Sequence, residues 1–299
     1  MKLIVPVMLA AVLVMAAQTA EPVAVAFYNI RAGQGIQPLR GHAALFVDGH
    51  NCTEANKPRN AWGAGIIQRE FDRLNADPHV VALGLAEAWF CASPENVRKA
   101  LGWKQQTGEQ NGTGLVARHG FRGKADWLQL DTSQNKSPGD TMWVVRAVVC
   151  VDATCSRTLD VYAAHWSGTG PQGQQTSDRQ AAESVKFMSQ SRGPHVLIGD
   201  LNVFEGPSVV CNQKPNNSSL DALRQAGYVD AWPAIHGRDP GFTGMLNRAG
   251  CGTPEGAPWK RIDYAWVRGM TPIAIERFGM PAPGEAAPSD HVGIVATFR

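Results

Sequence analysis

Short apolar runs of strand length recur along this chain, and six of them carry a chemically capable polar residue at one end. Val23–Tyr28 runs into Asn29, Val80–Ala86 into Glu87, Leu159–Ala164 into His165, and Val196–Gly199 into Asp200, with Asn202 two further on. Asp263 opens the run to Val267, and Ser289-Asp290-His291 opens Val292–Phe298. Runs this short and this rich in Val, Ile and Ala read as buried strands. Neighbouring antiparallel strands place the end of one beside the start of the next, so four ends and two starts can share one rim. Gly114–Ala117, Trp127–Leu130 and Met142–Val151 add further strands.

Caps and apolar spacing place the helices. Asn60–Ala76 has Trp62, Ile66, Ile67, Phe71 and Leu74 at helical intervals. Ser93-Pro94-Glu95 is an N-cap with proline in the first turn. Ser177-Asp178-Arg179-Gln180 has the capping-box pattern and predicts a helix to about Met188. Ser218–Ala226 is closed by Gly227. Strands and helices mix without strict alternation, which predicts an α/β fold of the mixed, layered-sandwich kind over a purely parallel sheet. Arg31–Arg59 is long for a loop and is expected to hold a short hairpin around Ala43–Val47.

The first twenty residues change the picture of location. Lys2, the apolar stretch Leu3–Ala17 and small residues up to Ala20 form a basic region, a hydrophobic region and a cleavage zone. That predicts a signal peptide over 1–20, one catalytic domain over 21–299, and a periplasmic or secreted product. Loss of Lys2 leaves 27 basic against 26 acidic residues, a balance of +1, which does not by itself demand nucleic acid. Six cysteines in an exported chain suggest disulfides, and fifteen connectivities are possible. Cys150 and Cys155 flank a hairpin-like turn and are expected to pair; Cys211–Cys251 and Cys52–Cys91 follow by elimination.

At the rim, Asn29, Glu87 and Asp290 offer oxygen ligands only, which suits a hard divalent cation, Mg²⁺ first with Mn²⁺ or Ca²⁺ as alternatives. His165 and His291 can donate to phosphoryl oxygens or protonate a leaving group. In extended chain Asp200 and Asn202 point the same way, so one can take a proton while the other holds the same water or an oxyanion. Gly199 would let a ligand approach the backbone. Asp290 and His291, being adjacent, face opposite sides, one toward a metal and one toward substrate or a supporting carboxylate. Together these groups fit phosphoester hydrolysis. Tyr28 and Tyr264 are expected in the core, whereas Trp89, Trp166 and Trp259 are open to stacking roles, and Ser167–Gln175 reads equally as a loop able to close over substrate and as a plain connector.

The blocks Phe27-Tyr28-Asn29-Ile30-Arg31, Ala86-Glu87-Ala88, His165, Gly199-Asp200-Leu201-Asn202, Arg261-Ile262-Asp263-Tyr264 and Ser289-Asp290-His291 closely resemble, in this order, the endonuclease/exonuclease/phosphatase superfamily. The resemblance spans Ala24 to the C-terminus and implies a four-layer α/β sandwich, two mixed β-sheets flanked by helices. It implies Glu87 as principal metal ligand, with Asn29 and Asp290 close to the metal. Asp200 would position or deprotonate water with support from Asn202. His291 would contact the phosphoryl group, oriented by Asp263, and His165 would be the second phosphate-contacting histidine. It also places Cys211 and Cys251 where secreted nucleases of the superfamily carry a disulfide. Ala86 stands where most members have glutamine. The expected activity is metal-dependent phosphodiester hydrolysis on nucleic acid by a monomer with no obligate protein partner. Hydrolysis of lipid head groups or small phosphoesters is the alternative, and a non-catalytic binding protein on the same scaffold is weaker because every expected polar position is filled.

Overall fold

Alternation along the strands sets the layers. A computed structural model describes residues 21–36, 61–62, 65–133, 141–167, 173–206, 214–244, 246, 257–281 and 285–299. The elements, in chain order, begin with β1 (Val23–Asn29), α1 (Ile66–Ala76), β2 (Val80–Ala86), α2 (Pro94–Leu101), β3 (Gln105–Gln106), β4 (Gly114–Ala117) and β5 (Asp126–Leu130). They continue with β6 (Met142–Cys150), β7 (Thr158–His165), α3 (Gly173–Met188), β8 (His195–Asp200), α4 (Asn217–Gln225), β9 (Val229–Asp230) and α5 (Ala231–His236). The chain closes with β10 (Asp263–Arg268), β11 (Pro272–Phe278) and β12 (Gly293–Phe298). Two six-stranded sheets result, one in the order β11-β12-β1-β2-β4-β3 and the other β5-β6-β7-β8-β10-β9.

Val23, Val25 and Phe27 of β1 meet Val161 and Ala163 of β7, Val196 and Ile198 of β8, and Ala265 and Val267 of β10 in one apolar layer between the sheets. The alternate residues Ala24, Ala26 and Tyr28 face outward beneath Ile67, Phe71 and Leu74 of α1 and Val97 and Leu101 of α2. On the other side, Tyr162, Leu197, Tyr264 and Trp266 pack under Ala181 and Met188 of α3 and Leu220 and Leu223 of α4. Helix, sheet, sheet and helix therefore form the expected four-layer sandwich. Central strands buried on both faces explain the continuous apolar runs.

Two glycines make the close approaches possible. A Cβ on Gly84 of β2 would lie 2.8 Å from Ile198 Cδ1 of the opposite sheet. A Cβ on Gly199 would lie 2.4 Å from the Ala164 carbonyl oxygen of the parallel neighbour β7. Gly199 therefore serves strand packing; the expectation of a ligand approaching there is corrected.

Other corrections follow from local chemistry. The first helix begins at Ile66, not Asn60, because Gly65 stands at φ 73°, outside helical space. Trp62 packs edge-on against Phe71 from the preceding turn. The helix expected to open at Ser177 begins at Gly173, so Ser177 is not its cap. Gln180 is diverted from capping: its Oε1 accepts from Ser167 N at 2.8 Å and its Nε2 donates to Asp131 O at 2.9 Å. Ser93 caps α2 as expected, accepting from Asn96 N. Edge strand β11 and helix α5 had no sequence signal, β11 because only Pro272, Ile275 and Phe278 are buried along it.

The Cys150–Cys155 disulfide is present, closing the turn between β6 and β7. Cys91 is also disulfide-bonded. Cys52, Cys211 and Cys251, like 1–20 and the Ala43–Val47 hairpin, lie outside the described residues. Gly199→Ala should lower stability by about 1–3 kcal/mol, the cost of overpacking, because the new methyl meets a backbone carbonyl. Equilibrium denaturation of the variant against the parent chain measures it.

Candidate active site

The inner-facing rows of four strands each end on a polar residue at the same end of the sandwich. Asn29 continues Val23, Val25 and Phe27; His165 continues Val161 and Ala163; Asp200 continues Val196 and Ile198; Asp263 precedes Ala265 and Val267. Strand register then aligns them. Asp200 pairs with His165 on the parallel side and with Asp263 on the antiparallel side. The rim is thus built from both sheets rather than from a single antiparallel one: β1, β2 and β12 belong to one sheet, and β7, β8 and β10 to the other.

Asp200 is the centre of the cluster. Its Oδ2 accepts from Asn29 Nδ2 at 3.0 Å, a buried hydrogen bond across the two sheets. The same oxygen lies 3.7 Å from both His165 Nε2 and His291 Nε2. Those separations exceed a hydrogen bond and suit groups converging on a small third group. Oδ1 accepts from Asn202 N at 2.9 Å. Asn202 has φ 52°, so the extended chain ends at Asp200 and the same-side geometry expected of Asp200 and Asn202 does not occur. Asn202 Nδ2 instead donates to Trp166 O at 3.0 Å and holds the turn.

Asn29 Nδ2 also donates to Glu87 Oε1 at 3.0 Å, and its Oδ1 accepts from Arg31 N at 3.2 Å. One amide therefore tethers two carboxylates. Glu87 itself has φ 50°, a conformation that costs a non-glycine residue on the order of 1 kcal/mol and is retained only when the surroundings enforce it. Ser289 Oγ donates to Asn29 O at 2.7 Å and accepts from His291 N at 3.2 Å, which ties the last block to β1.

His291 Nδ1 is 2.9 Å from Asp263 Oδ2, and both residues are buried. Burial alone would lower the imidazole, but Asp263, Asp200 and Asp290 outweigh it and hold it well above the usual histidine range. Burial pushes Asp263 up while the His291 charge draws it back; with Asp200 and Asp290 also acting on the ring, the pair favours a charged imidazole. Thr243 was missed by sequence reasoning: its buried Oγ1 accepts from Ile262 N and Asp263 N at 3.2 and 3.1 Å and fixes the start of β10. A threonine between Phe242 and Gly244 gives no sequence signal for that role.

Asp290 joins the cluster only at its edge, with one carboxylate oxygen 3.9 Å from Arg31 Nε. Trp166 and Trp259 are buried, as are Tyr28 and Tyr264. Trp89 is half-buried beside Glu87. The loop before α3 lies in part outside the described residues.

A divalent cation fits this donor set. Glu87, His165 and Asp200 each offer one ligand atom within 4.8 Å of the others, as do Asp200, Asp263 and His291. The second group already carries a proton on His291 opposed by Asp263. The Glu87 carboxylate tethered by Asn29 therefore suits the cation, as a hard oxygen donor does.

The family model described as the Endonuclease/Exonuclease/phosphatase family matches residues 51–291. Among solved structures, an endonuclease/exonuclease/phosphatase from Beutenbergia cavernae superposes with TM-score 0.64 at 19% identity, covering 93% of this chain and 71% of that one. D. rerio TDP2 complexed with single strand DNA product superposes with TM-score 0.60 at 13% identity, covering 93% and 99%. A mannosyl-6-phosphatase from Bacteroides thetaiotaomicron superposes with TM-score 0.58 at 16% identity, covering 93% and 99%. No curated protein matches the chain.

Asp200→Asn and His291→Gln should each lower turnover at least about a hundredfold, the scale of a lost acid–base or oxyanion group; Asp200→Asn should leave the unfolding midpoint little changed, whereas His291→Gln, which removes the charge opposite buried Asp263, should lower it. Asp263→Asn removes the largest charge that raises His291, so that imidazole loses its proton at lower pH. The alkaline limb of the kcat profile should move to lower pH, and a pH–rate series on the variant reads the shift.

Proposed function

The chain belongs to the endonuclease/exonuclease/phosphatase family and is a metal-dependent phosphoester hydrolase; on that premise we propose that it is an exported phosphodiesterase acting on nucleic acid. The observation that carries the reading is the convergence on Asp200 Oδ2 of the Asn29 amide and both histidine Nε2 atoms, at 3.0, 3.7 and 3.7 Å. A carboxylate oxygen between two imidazoles can accept a proton from an attacking water while the rings face the charge that develops on phosphorus.

Asp200 takes the water proton at Oδ2. Asn29 and the Asn202 backbone N–H hold the carboxylate in that orientation. His291, charged and braced by Asp263, donates to a phosphoryl oxygen through Nε2. His165 does the same from the other side through its Nε2. Glu87 is the principal ligand assigned to the cation, with Asn29 and Asp290 beside it; bound there, Mg²⁺ would neutralise phosphate charge and polarise the phosphoryl group. Asn29 would need its amide oxygen turned from Arg31 N to serve as a ligand.

A nucleic-acid substrate is supported by the family itself, which contains nucleases, and TDP2 in complex with DNA product shares the fold. Export is proposed from the leader-like 1–20 and supported by the Cys150–Cys155 disulfide, since such bonds persist in oxidising compartments.

Chelation should abolish hydrolysis of a single-stranded oligonucleotide, and Mg²⁺ or Mn²⁺ should restore it. Glu87→Gln should raise the metal concentration giving half-maximal rate by at least about tenfold, in line with losing a charged ligand. A metal titration beside a panel of DNA, RNA, sphingomyelin and inositol phosphates tests the reading. Full rates in chelator, or cleavage of lipid or inositol phosphates alone, contradict it.

A further inference from the structure

A cavity of about 360 Å³ opens beside Glu87, lined by Arg31, Ala32, Gln34, Glu87, Trp89 and Phe90. Its volume lies at the low end of small-ligand pockets, roughly 300–1,000 Å³, and suits one planar ring with its sugar rather than a double helix. The walls are two short 3₁₀ turns, Arg31–Gly33 and Phe90–Ala92. Arg31, Ala32, Glu87 and Phe90 all have positive φ, four of the seven such non-glycine residues described. The first turn is bonded to the cavity residue Glu87, Ala32 N donating to Glu87 O at 2.7 Å. Strain gathered around one cavity and braced by hydrogen bonds marks a preorganised wall.

Two aromatic side chains face this space. Phe90 is 47% exposed, the most exposed large hydrophobic residue described. Trp89 is seated on Gly112: a Cβ there would lie 2.7 Å from the indole. One side of the indole therefore rests on backbone, and the residue also lines the cavity. Aromatic rings stack any base, without sequence preference. A base inside a duplex has both faces covered by its neighbours, so only an unpaired base can enter.

We propose that this cavity is a base-binding subsite, in which an unpaired nucleobase next to the scissile phosphate stacks against Trp89 and Phe90, making the enzyme selective for single-stranded nucleic acid. The inference rests on the nucleic-acid reading above and specifies the substrate of that site. Arg31 lies between the cavity and Asp290, its Nη1 donating to Gly35 O at 2.9 Å and its Nε 3.9 Å from the Asp290 carboxylate. It brings positive charge to where the phosphate joined to that base would pass.

The test compares a single-stranded oligonucleotide, the same strand in a duplex, and a single strand with abasic linkers in place of its nucleosides. The parent enzyme should favour the intact single strand by at least about tenfold in kcat/KM over both others, the scale of one base-stacking contact. Trp89→Ala and, independently, the exposed Phe90→Ala should raise KM for the intact strand more than they lower kcat. Both should shrink the difference between intact and abasic strands. Equal cleavage of duplex and single strand, or an unchanged intact-to-abasic ratio in folded Phe90→Ala, overturns the subsite and leaves the nuclease reading standing. Failure to cleave any nucleic acid while another phosphoester is hydrolysed overturns both.

Discussion

The hydrogen bond between Asn29 and Asp200 joins the two halves of the molecule at the point where the chemistry occurs. Each residue ends an inner-facing row of a different sheet, so the bond at 3.0 Å exists only if both sheets pack in the right offset. That offset is set by apolar side chains and by Gly84, which admits Ile198 from the facing sheet. Core packing therefore positions Asn29 and Asp200 directly. Once Asp200 is placed, strand register delivers His165 on one side and Asp263 on the other.

The same packing concentrates negative charge. Glu87, Asp200, Asp263 and Asp290 lie at one end of the sandwich, and burying carboxylates together is unfavourable unless donors or cations meet them. Asn29 meets two of them, and His291 is held in its charged form by three. The arrangement is stable enough to fold and keeps unspent attraction for a cation and a phosphoryl group. Positive φ at Glu87 and Asn202 has the same logic: at both positions the chain leaves the strand abruptly so that a polar group stays at the rim.

Much of this was legible in the sequence because it follows from alternation. Apolar runs ending in Asn29, Glu87, His165 and Asp200 gave both the strands and the candidate residues, and the six blocks in order carried the family resemblance. Period-two parity alone would also have placed Asn29, His165, Asp200 and Asp263 on the inter-sheet face. What was not legible depends on where side chains are diverted by tertiary contacts. Gln180 looked like part of a cap but fastens Ser167. Gly199 looked like a ligand approach but accommodates the Ala164 carbonyl. Thr243 gave no signal, since its role exists only once β10 lies beside it.

The central claim is that Asn29 and Asp200 act as one unit across the sheets. A double-mutant cycle on kcat with Asn29→Ala, Asp200→Asn and the double variant tests it most directly, at saturating metal and with folding verified. The account predicts that the double variant is no slower than the worse single variant, because either change already disables the carboxylate. Penalties that multiply, as for independent sites, would contradict it.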